Sequence, residues 1–254
     1  MSLTTKAKIF ISLGVILGIT AAGIPAIVIP VNNYNSVTFT LLDNAGVMIE
    51  TRGLRIYVDP INLPDNYSNY PADAVLITHD HGDHYEYGSI NRVQKNGTLN
   101  VFPAIMTSAI SLFDGLAVKP EDQFQVGFIT VTAFYMYTFA VDPYPASHPR
   151  ESNYTSYLID IDGFTIFHAG DSKNIEEYED IAGQVDVALL PLGPGCQSMA
   201  DIEIIDVLDI LQPSYFVPIH YEPSGYDSFI LSYGHMIDCE LIHLVDFSSH
   251  KFKI

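Results

Sequence analysis

One short segment restricts the fold of this chain more than any other: an apolar run that ends abruptly in a cluster of histidines and aspartates. Residues 74–78, AVLIT, are typical of a strand buried on both faces of a sheet. Residues 79–84, HDHGDH, place three imidazoles and two carboxylates directly after it. Packing alone does not explain the cluster, because burying such groups costs free energy and adds no apolar contact. We therefore expect a fold in which a central strand ends at a polar edge.

The residue types in this cluster point to metal binding. Imidazole nitrogens and carboxylate oxygens are the donors that bind zinc and neighbouring divalent metals. In an extended turn His79 and His81 point to one side, whereas Asp83 and His84 follow the bend at Gly82 and reach a second point. One loop can thus serve two metal ions. The alternative is a solvated, histidine-rich turn with only adventitious metal affinity.

The rest of the chain reads as strands with fewer helices. Short runs rich in β-branched and aromatic residues predict strands at 37–42, 46–50, 54–59, 128–136, 155–161, 164–169, 185–190 and 214–219. Helical spacing occurs at 104–116 and 201–211, where Ile202, Ile205 and Leu208 share one side and Asp201 is suited to cap the N-terminus. Residues 60–71 are interpreted as a surface loop. This order, without repeats or linkers, predicts one α/β domain built on two sheets.

HxHxDH at the end of a buried strand is the signature of the metallo-β-lactamase superfamily, which the chain resembles from about residue 37 to residue 245. Further motifs follow in order: His148 in SHPRESNYTSYLI, Asp171 in FTIFHAGDS and His220 in YFVPIHYEP. The phrases LRIYVDP, ITHDHGDH, FHAGDS and DVALLPLG are similar to the branch that contains ascorbate-phosphate lactonase-like hydrolases. The resemblance implies an α/β fold, a four-layer αββα sandwich of two mixed β-sheets.

The resemblance also implies a ligand set and a reaction. It assigns one metal ion to His79, His81 and His148, a second to Asp83, His84 and His220, and a bridging role to Asp171. We expect two divalent ions. Zinc is the preferred metal, and Mn²⁺ and Fe²⁺ are the alternatives. They would activate a shared water, which Asp83 and Asp171 align as catalytic residues. The expected substrate is a small ester-like molecule such as a lactone, a thioester or a phosphodiester.

Other polar residues receive different interpretations. His168 lies inside a predicted strand and is expected to be a satisfied core histidine or a support for a ligand. Asp59 ends the LRIYVDP strand and is expected to hydrogen-bond the metal loop and orient a ligating histidine. Cys196 lies in the LGPGCQSM loop and is interpreted as a small apolar filler, and Met199 and Tyr221 as walls of the substrate site.

Asn44 is a departure from the resembled branch, many members of which carry a Gly-His pair near the first turn. Asparagine can still form hydrogen bonds, but it cannot accept a proton at neutral pH. An alternative function therefore stays open: a metal-binding or ligand-sensing module of the same fold with little turnover.

The N-terminus predicts a membrane or export segment. Residues 9–31 contain no charged residue and are long enough to span a bilayer as a helix, and Lys6 and Lys8 precede them. The length favours an uncleaved anchor, the small residues at 21–23 permit signal cleavage, and a buried core helix is the third interpretation. We expect a segment over 1–31 and a hydrolase domain over 32–254, exposed outside the cytoplasm.

Charge excludes one class of partner. The chain has 30 acidic and 11 basic residues, a formal net charge of −19. Proteins hold phosphate backbones mainly through Lys and Arg, so nucleic acid is not an expected partner. A nuclease is correspondingly disfavoured. The expected partners are a small-molecule substrate and, through residues 9–31, a membrane.

Overall fold

A computed structural model describes residues 36–193 and 199–254, whose strands form two seven-stranded sheets. The first sheet consists of β1 (Ser36–Leu41), β2 (Val47–Thr51), β3 (Leu54–Val58), β4 (Ala74–Leu76), β5 (Leu99–Pro103), β6 (Leu116–Val118) and β14 (Ser249–Lys253), in the order β14-β1-β2-β3-β4-β5-β6. The second consists of β7 (Gln123–Val126), β8 (Ile129–Tyr135), β9 (Thr155–Ile161), β10 (Phe164–His168), β11 (Val187–Pro191), β12 (Tyr215–Ile219) and β13 (Glu240–Leu241), in the order β13-β12-β11-β10-β9-β8-β7.

Both sheets are mixed, and their strand directions follow the same plan. In the first sheet β14, β1, β2 and β3 are antiparallel neighbours, whereas β3, β4, β5 and β6 run parallel. In the second sheet β7, β8, β9 and β10 are antiparallel, and β10, β11, β12 and β13 run parallel. The inner parallel strands β4 and β11 are buried on both faces, as their uninterrupted apolar sequences predict.

Alternation along these strands builds the core between the sheets. In β11 the side chains of Val187 and Leu189 face the other sheet, whereas Ala188 and Leu190 face the helical side. In β1 Val37 and Phe39 contribute to the same inner layer. Each fully buried aliphatic or aromatic side chain contributes about 1.5–3 kcal/mol to folding, so this inner layer contributes substantially to stability.

Within the described residues four α-helices cover the outer faces: α1 (Tyr87–Arg92), α2 (Thr107–Phe113), α3 (Asp201–Leu211) and α4 (Pro223–Tyr233). Ile90 of α1 and Ala109 of α2 pack against the outer face of the first sheet. Leu208 of α3 and Phe229 of α4 pack against the outer face of the second. The layers therefore run helix, sheet, sheet, helix, and the predicted αββα sandwich of two mixed sheets is confirmed.

Helix α3 has the predicted bounds, but its cap and its buried face differ from the prediction. The carboxylate of Glu203 accepts the N–H of Ala200 at 2.6 Å, so Asp201 lies inside the first turn and is not the cap. Of the predicted apolar side, Ile205 and Leu208 are buried, whereas Ile202 is 47% exposed and Ile204 is buried in addition.

The predicted helix at 104–116 is shorter than expected. Asp114 adopts a left-handed conformation and ends α2 at Phe113, and Leu116 already begins β6. The residues outside α2 belong to loops or to β6. The prediction included them because apolar spacing alone does not distinguish a helix from a short buried strand.

The predictions for the N-terminus fall on residues that are not described. The apolar segment 9–31 and the expected domain boundary after residue 31 lie outside residues 36–193 and 199–254. Within those two ranges, no helix has the length and apolar character needed to cross a bilayer.

One edge of the sandwich collects the ends of strands from both sheets. The parallel strands β10 and β12 end there, and so does β4 of the other sheet. Two hydrogen bonds tie the sheets together at this edge: Thr155 N–H donates to Thr78 O at 3.1 Å, and the Tyr157 hydroxyl donates to Ile77 O at 2.7 Å. Residues that follow these strands therefore meet at one place.

Candidate metal centre

The HDHGDH loop turns back on itself directly after β4. The carbonyl of His81 accepts the N–H groups of His84 at 3.0 Å and of Tyr85 at 2.8 Å, which closes the turn over Gly82. His84 thereby returns to the end of the strand. The rings of His79 and His84 are fully buried with their centroids 4.1 Å apart. The predicted bend at Gly82 is confirmed.

His148 lies in the long connection between β8 and β9, and both its backbone N–H and its carbonyl are hydrogen-bonded. Its carbonyl accepts the N–H of Thr138 at 2.8 Å, and its N–H donates to the Thr138 hydroxyl at 3.0 Å. The buried ring lies with Nε2 3.1 Å from Nδ1 of His81. A polar loop histidine far away in the sequence thus joins the loop after β4.

Asp171 follows β10 after a glycine that the close packing requires. Gly170 has a φ of +57°, and a Cβ at this position would lie 2.6 Å from Sδ of Met136 and 3.2 Å from Cβ of Thr78. The absence of a side chain lets the chain approach the end of β4 so closely that the Asp171 carboxylate is fully buried among the histidines. One carboxylate oxygen lies 3.0 Å from Nε2 of His84.

His220 follows β12 and adopts a left-handed conformation with a φ of 53°. Its Nε2 lies 3.2 Å from a carboxylate oxygen of Asp83 and 3.6 Å from one of Asp171. The ring stacks on that of His84, with centroids 5.4 Å apart. The structure therefore brings all seven predicted residues to the same edge.

Their ligand atoms form two groups that share one carboxylate. Within each group every offered nitrogen or oxygen lies within 4.8 Å of the others. The groups are His79, His81, His148 and Asp171, and Asp83, His84, Asp171 and His220. This arrangement has the size and donor chemistry of two adjacent sites for divalent metal ions.

Several atoms at the centre of the cluster lack hydrogen-bond partners among the described residues. They are Nε2 of His79, Nε2 of His84 and both carboxylate oxygens of Asp171. An unsatisfied buried polar atom costs about 1–3 kcal/mol, so four of them converging on one point need a compensating ligand. Metal cations satisfy such nitrogens and oxygens together, and the residues present therefore fit a metal centre.

A hydrogen-bond chain behind the cluster fixes which ring nitrogens face it. The Thr78 hydroxyl donates to Asp59 at 2.6 Å, so its oxygen accepts the proton of His79 Nδ1 at 2.9 Å. The same Asp59 oxygen accepts the proton of His84 Nδ1 at 2.8 Å. Because both Nδ1 atoms are donors, Nε2 of each ring is directed at the cluster. The prediction that Asp59 orients a histidine of the loop is confirmed.

The cluster divides its histidines into two electrostatic classes. Burial lowers the pKa of His148 to about 4 and lowers that of His79 well below its usual value, so both rings are neutral at neutral pH. Burial also opposes the charged form of His84, but the carboxylates of Asp171 and Asp59 outweigh it and raise its pKa to about 10. In the protein without metal, His84 therefore carries the positive charge that offsets the buried carboxylates.

The two carboxylates of the second group stay ionised. The hydrogen bond from His220 and the charge of His84 hold the pKa of Asp83 below its usual range. Burial alone would raise the pKa of Asp171, but the positive charge of the neighbouring His84 outweighs it and lowers the pKa. The Asp83 side chain is 48% exposed, whereas Asp171 is fully buried, so solvent reaches the centre from the side of the second group.

The structure also places the residues outside the ligand set. His168 is buried, with Nε2 donating to Ala45 O at 2.8 Å and Nδ1 accepting the N–H of Gly170 at 3.2 Å, so the prediction of a satisfied core histidine is confirmed. Met199 is fully buried in the core beside α3, so the prediction that it lines the site is wrong. Tyr221 is half-buried and packs on Tyr226.

Cys196 lies outside the described residues. Asn44 lies at the cluster, where its side-chain amide donates to the carbonyl of Asp83 at 3.1 Å.

Sequence reasoning missed two supporting residues. Thr78, the last residue of the AVLIT run, was read only as part of a strand, although a hydroxyl next to a ligating histidine is a signal for such support. Tyr154 donates to the carboxylate of Asp80 at 2.5 Å and so connects the loop after β4 to the start of β9. Tyr154 and Asp80 are 74 residues apart, so no local sequence pattern indicates their contact.

Comparison with known proteins agrees with this fold and this cluster. A family model for the beta-lactamase superfamily domain matches residues 38–220. The chain belongs to this superfamily. The matched range begins in β1 and ends at His220, and it includes all seven residues of the cluster. The resemblance drawn from HxHxDH and the motifs that follow it is confirmed.

Curated relatives cover most of this chain. A UPF0173 protein of Pyrococcus abyssi is 31% identical over 186 residues, 72% of this chain and 82% of that protein. A UPF0173 metal-dependent hydrolase of Pyrococcus furiosus is 29% identical over 206 residues, 73% of this chain and 84% of that protein. The prediction of an enzyme of the metal-dependent hydrolase class agrees with the name of the second relative.

Solved structures share the fold at lower identity. A metallo hydrolase of Ignicoccus hospitalis superimposes with a TM-score of 0.70 at 20% identity, covering 86% of this chain and 99% of that one. A metallo-beta-lactamase fold protein of Bacillus subtilis superimposes with a TM-score of 0.68 at 12% identity, covering 86% and 100%. The fold is therefore that of the metallo-β-lactamases.

Proposed function

We propose that this protein is a metal-dependent hydrolase that uses two divalent ions to activate a water molecule against a small ester-like substrate. The observation that supports it is the pair of ligand groups sharing Asp171, with unsatisfied buried atoms at their centre. If the cluster were only a network of structural ion pairs, each of these atoms would need its own partner in the protein. Two adjacent cations would satisfy all of them together.

The proposed ligands follow the two groups. His79, His81 and His148 would hold one ion, Asp83, His84 and His220 the other, and Asp171 would bridge the two. Imidazole nitrogens together with carboxylate oxygens suit zinc, which is the metal we propose for both sites, with Mn²⁺ or Fe²⁺ as the alternatives. Bound divalent ions would lower the pKa of a shared water and polarise the substrate oxygen.

Asp83 and Asp171 are the proposed catalytic residues. Both carboxylates are held ionised by neighbouring histidines, so they can accept hydrogen bonds from the attacking water and orient it. Asp83 is the more accessible of the two, so it can hydrogen-bond a water molecule on the solvent side of the centre. A serine or cysteine nucleophile is not needed for this chemistry.

The proposed substrate class is a lactone, a thioester or a phosphodiester, each of which presents a carbonyl or phosphoryl oxygen beside a good leaving group. The formal charge of −19 disfavours long nucleic acids as substrates. The P. furiosus relative, named a metal-dependent hydrolase, supports the reaction class and leaves the substrate open.

A turnover screen tests this proposal. Chelator-stripped protein is loaded with Zn²⁺, Mn²⁺ or Fe²⁺ and assayed on lactones, thioesters and bis-p-nitrophenyl phosphate. The expected result is hydrolysis of at least one class by the loaded protein and none by the stripped protein. Tight metal binding without turnover on any class would reject the enzyme and favour the metal-binding or ligand-sensing module.

We also propose that residues 9–31 direct the chain into or across a membrane and that the hydrolase domain lies outside the cytoplasm. The support is the uncharged run with Lys6 and Lys8 on its N-terminal side. Protease added to cells with a permeabilised outer envelope should digest the domain. Protection with the cytoplasm still sealed would reject the proposed orientation.

A further inference from the structure

The turn between β1 and β2 contacts two proposed ligands of the second group, Asp83 and His220, without contributing a ligand itself. This turn, residues 43–46, is closed by a hydrogen bond from Gly46 N–H to Asp43 O at 2.8 Å. A Cβ on Gly46 would lie 2.8 Å from the carbonyl of Asp59, so the glycine lets the turn lie directly against the residue that orients His84. Ala45 O accepts the Nε2 proton of the buried His168, three residues before Asp171.

Asn44 makes the two contacts that reach the open side of the centre. Its side-chain amide donates to the carbonyl of Asp83 at 3.1 Å. Its own carbonyl accepts the backbone N–H of His220 at 3.2 Å. One residue thus joins the backbones of two proposed ligands that lie 137 residues apart in the sequence.

These contacts matter because neither Asp83 nor His220 is fully buried. Asp83 lies at the tip of a turn and is 48% exposed, and His220 is held at a left-handed φ of 53° at a strand end. Their side chains meet at 3.2 Å, at the separation expected of two ligands that share an ion. Asn44 is itself left-handed, with a φ of 57°, a conformation that asparagine tolerates better than most residues.

We propose that Asn44 is a positioning residue for the second group: it holds the backbones of Asp83 and His220 at the separation that a shared metal ion requires. The inference rests on the proposed metal-dependent function and adds to it a residue that sets the affinity of one site only. The first group is held separately, through Thr138 at His148 and Thr78 at His79.

Two substitutions distinguish a role of Asn44 in positioning Asp83 and His220 from a role that is limited to the conformation of the turn. Asn44→Gly removes the amide donor and keeps both the left-handed conformation and the carbonyl that His220 uses. Asn44→Ala removes the same donor but strains the backbone, so it should lower stability more than Asn44→Gly does. If Asn44 positions the ligands, both variants weaken metal binding alike although their stabilities differ.

Asn153→Gly is the matched control. Asn153 is also left-handed, with a φ of 50°, and its side-chain amide also donates to a backbone carbonyl, that of Glu151 at 3.3 Å. It lies on the loop after His148 and contacts neither Asp83 nor His220 through this bond. Its substitution should leave both metal affinities as they are in the unsubstituted protein.

The experiment is a calorimetric titration of chelator-stripped, full-length protein with Zn²⁺, with thermal unfolding as a check that each variant is folded. The binding event lost in His220→Ala is assigned to the second group. We expect Asn44→Gly and Asn44→Ala to weaken this event by about tenfold, the lower end of the range for residues that support a ligand, and to leave the other within about threefold.

The outcomes are distinct. If folded Asn44→Gly and Asn44→Ala bind both ions as the unsubstituted protein does, or lose affinity at both sites equally, the positioning role is rejected while the proposed function stands. If the unsubstituted protein binds no Zn²⁺, the proposed function itself is rejected. A loss in Asn153→Gly equal to that in Asn44→Gly would also reject the assignment.

Discussion

Replacing Asp59 with asparagine should weaken one metal site by changing which nitrogen of His84 carries its proton. One Asp59 oxygen accepts the backbone N–H of Thr78 at 2.8 Å, and the other accepts both the Thr78 hydroxyl and His84 Nδ1. A backbone N–H cannot become an acceptor, so the single oxygen of an asparagine must face Thr78 N. Its NH₂ then faces His84 and makes Nδ1 an acceptor, which leaves the proton of the neutral ring on Nε2, the atom directed at the metal.

The expected magnitude is a 10- to 100-fold loss of affinity at the site that contains His84, which corresponds to about 1.4–2.8 kcal/mol. The site formed by His79, His81 and His148 should weaken less, because only one of its three rings, that of His79, is linked to Asp59, through the Thr78 hydroxyl. Hydrolysis should fall at limiting metal and recover partly at high metal concentration, because the ligand is mis-protonated and not removed.

Calorimetric titration of chelator-stripped Asp59→Asn with Zn²⁺ measures this directly. Asp73→Asn is a suitable control, because Asp73 precedes β4 at the opposite end of the same strand and accepts the N–H of Arg55 at 2.8 Å. That variant should change stability without changing metal affinity. If Asp59→Asn binds both ions within about threefold of the unsubstituted protein, the argument from the proton position is wrong.

Three further predictions concern the bridge, the pH dependence and the N-terminus. Asp171→Ala should lower the metal content at both sites, because both groups use this carboxylate; elemental analysis that shows two ions retained would reject the bridge. The stability of the metal-free protein should be highest near pH 6.5. Toward pH 4 stability should fall, because His148 takes up a proton in the unfolded chain but stays neutral in the folded protein. Toward pH 10 it should fall because His84 loses the positive charge that stabilises the fold. Unfolding midpoints that do not change across this pH range would contradict the prediction. Deletion of residues 1–31 should give a soluble domain with unchanged metal affinity, and aggregation of the truncated protein would favour the core-helix interpretation.

The sequence predicted most of the central strands because they repeat a strong local pattern, but it missed the interior strand β5. Strand β9 has the predicted bounds, and the ends of β3, β8 and β10 differ from prediction by only one residue each, since each is a continuous run of β-branched and aromatic residues. The edge strands β7 and β14 were missed because their sequences, QFQV and SHKFK, are half polar and look like loops. Helix α4 was not predicted, and Pro223 and Gly225 in its first turn obscure the helical pattern.

The candidate site was predictable to the extent that its residues cluster in sequence. Four of the seven lie within HDHGDH, and the other three were found through the resemblance and not through spacing. The supporting contacts were less accessible to sequence reasoning, because Asn44 and Tyr154 act on residues 39 and 74 positions away. Asp59 was predicted since it ends a strand beside the one that carries the loop, and neighbouring parallel strands end at the same edge.

Metal content is the measurement that tests the central claim most directly. Protein purified without chelator, and the same protein stripped and reloaded with Zn²⁺, is analysed for metal per chain by mass spectrometry and assayed for ester hydrolysis. The two ligand groups predict close to two ions per chain, loss of hydrolysis on stripping and its return on reloading. A folded protein that holds no divalent metal in either preparation, or that hydrolyses its substrate equally well after stripping, would contradict the account.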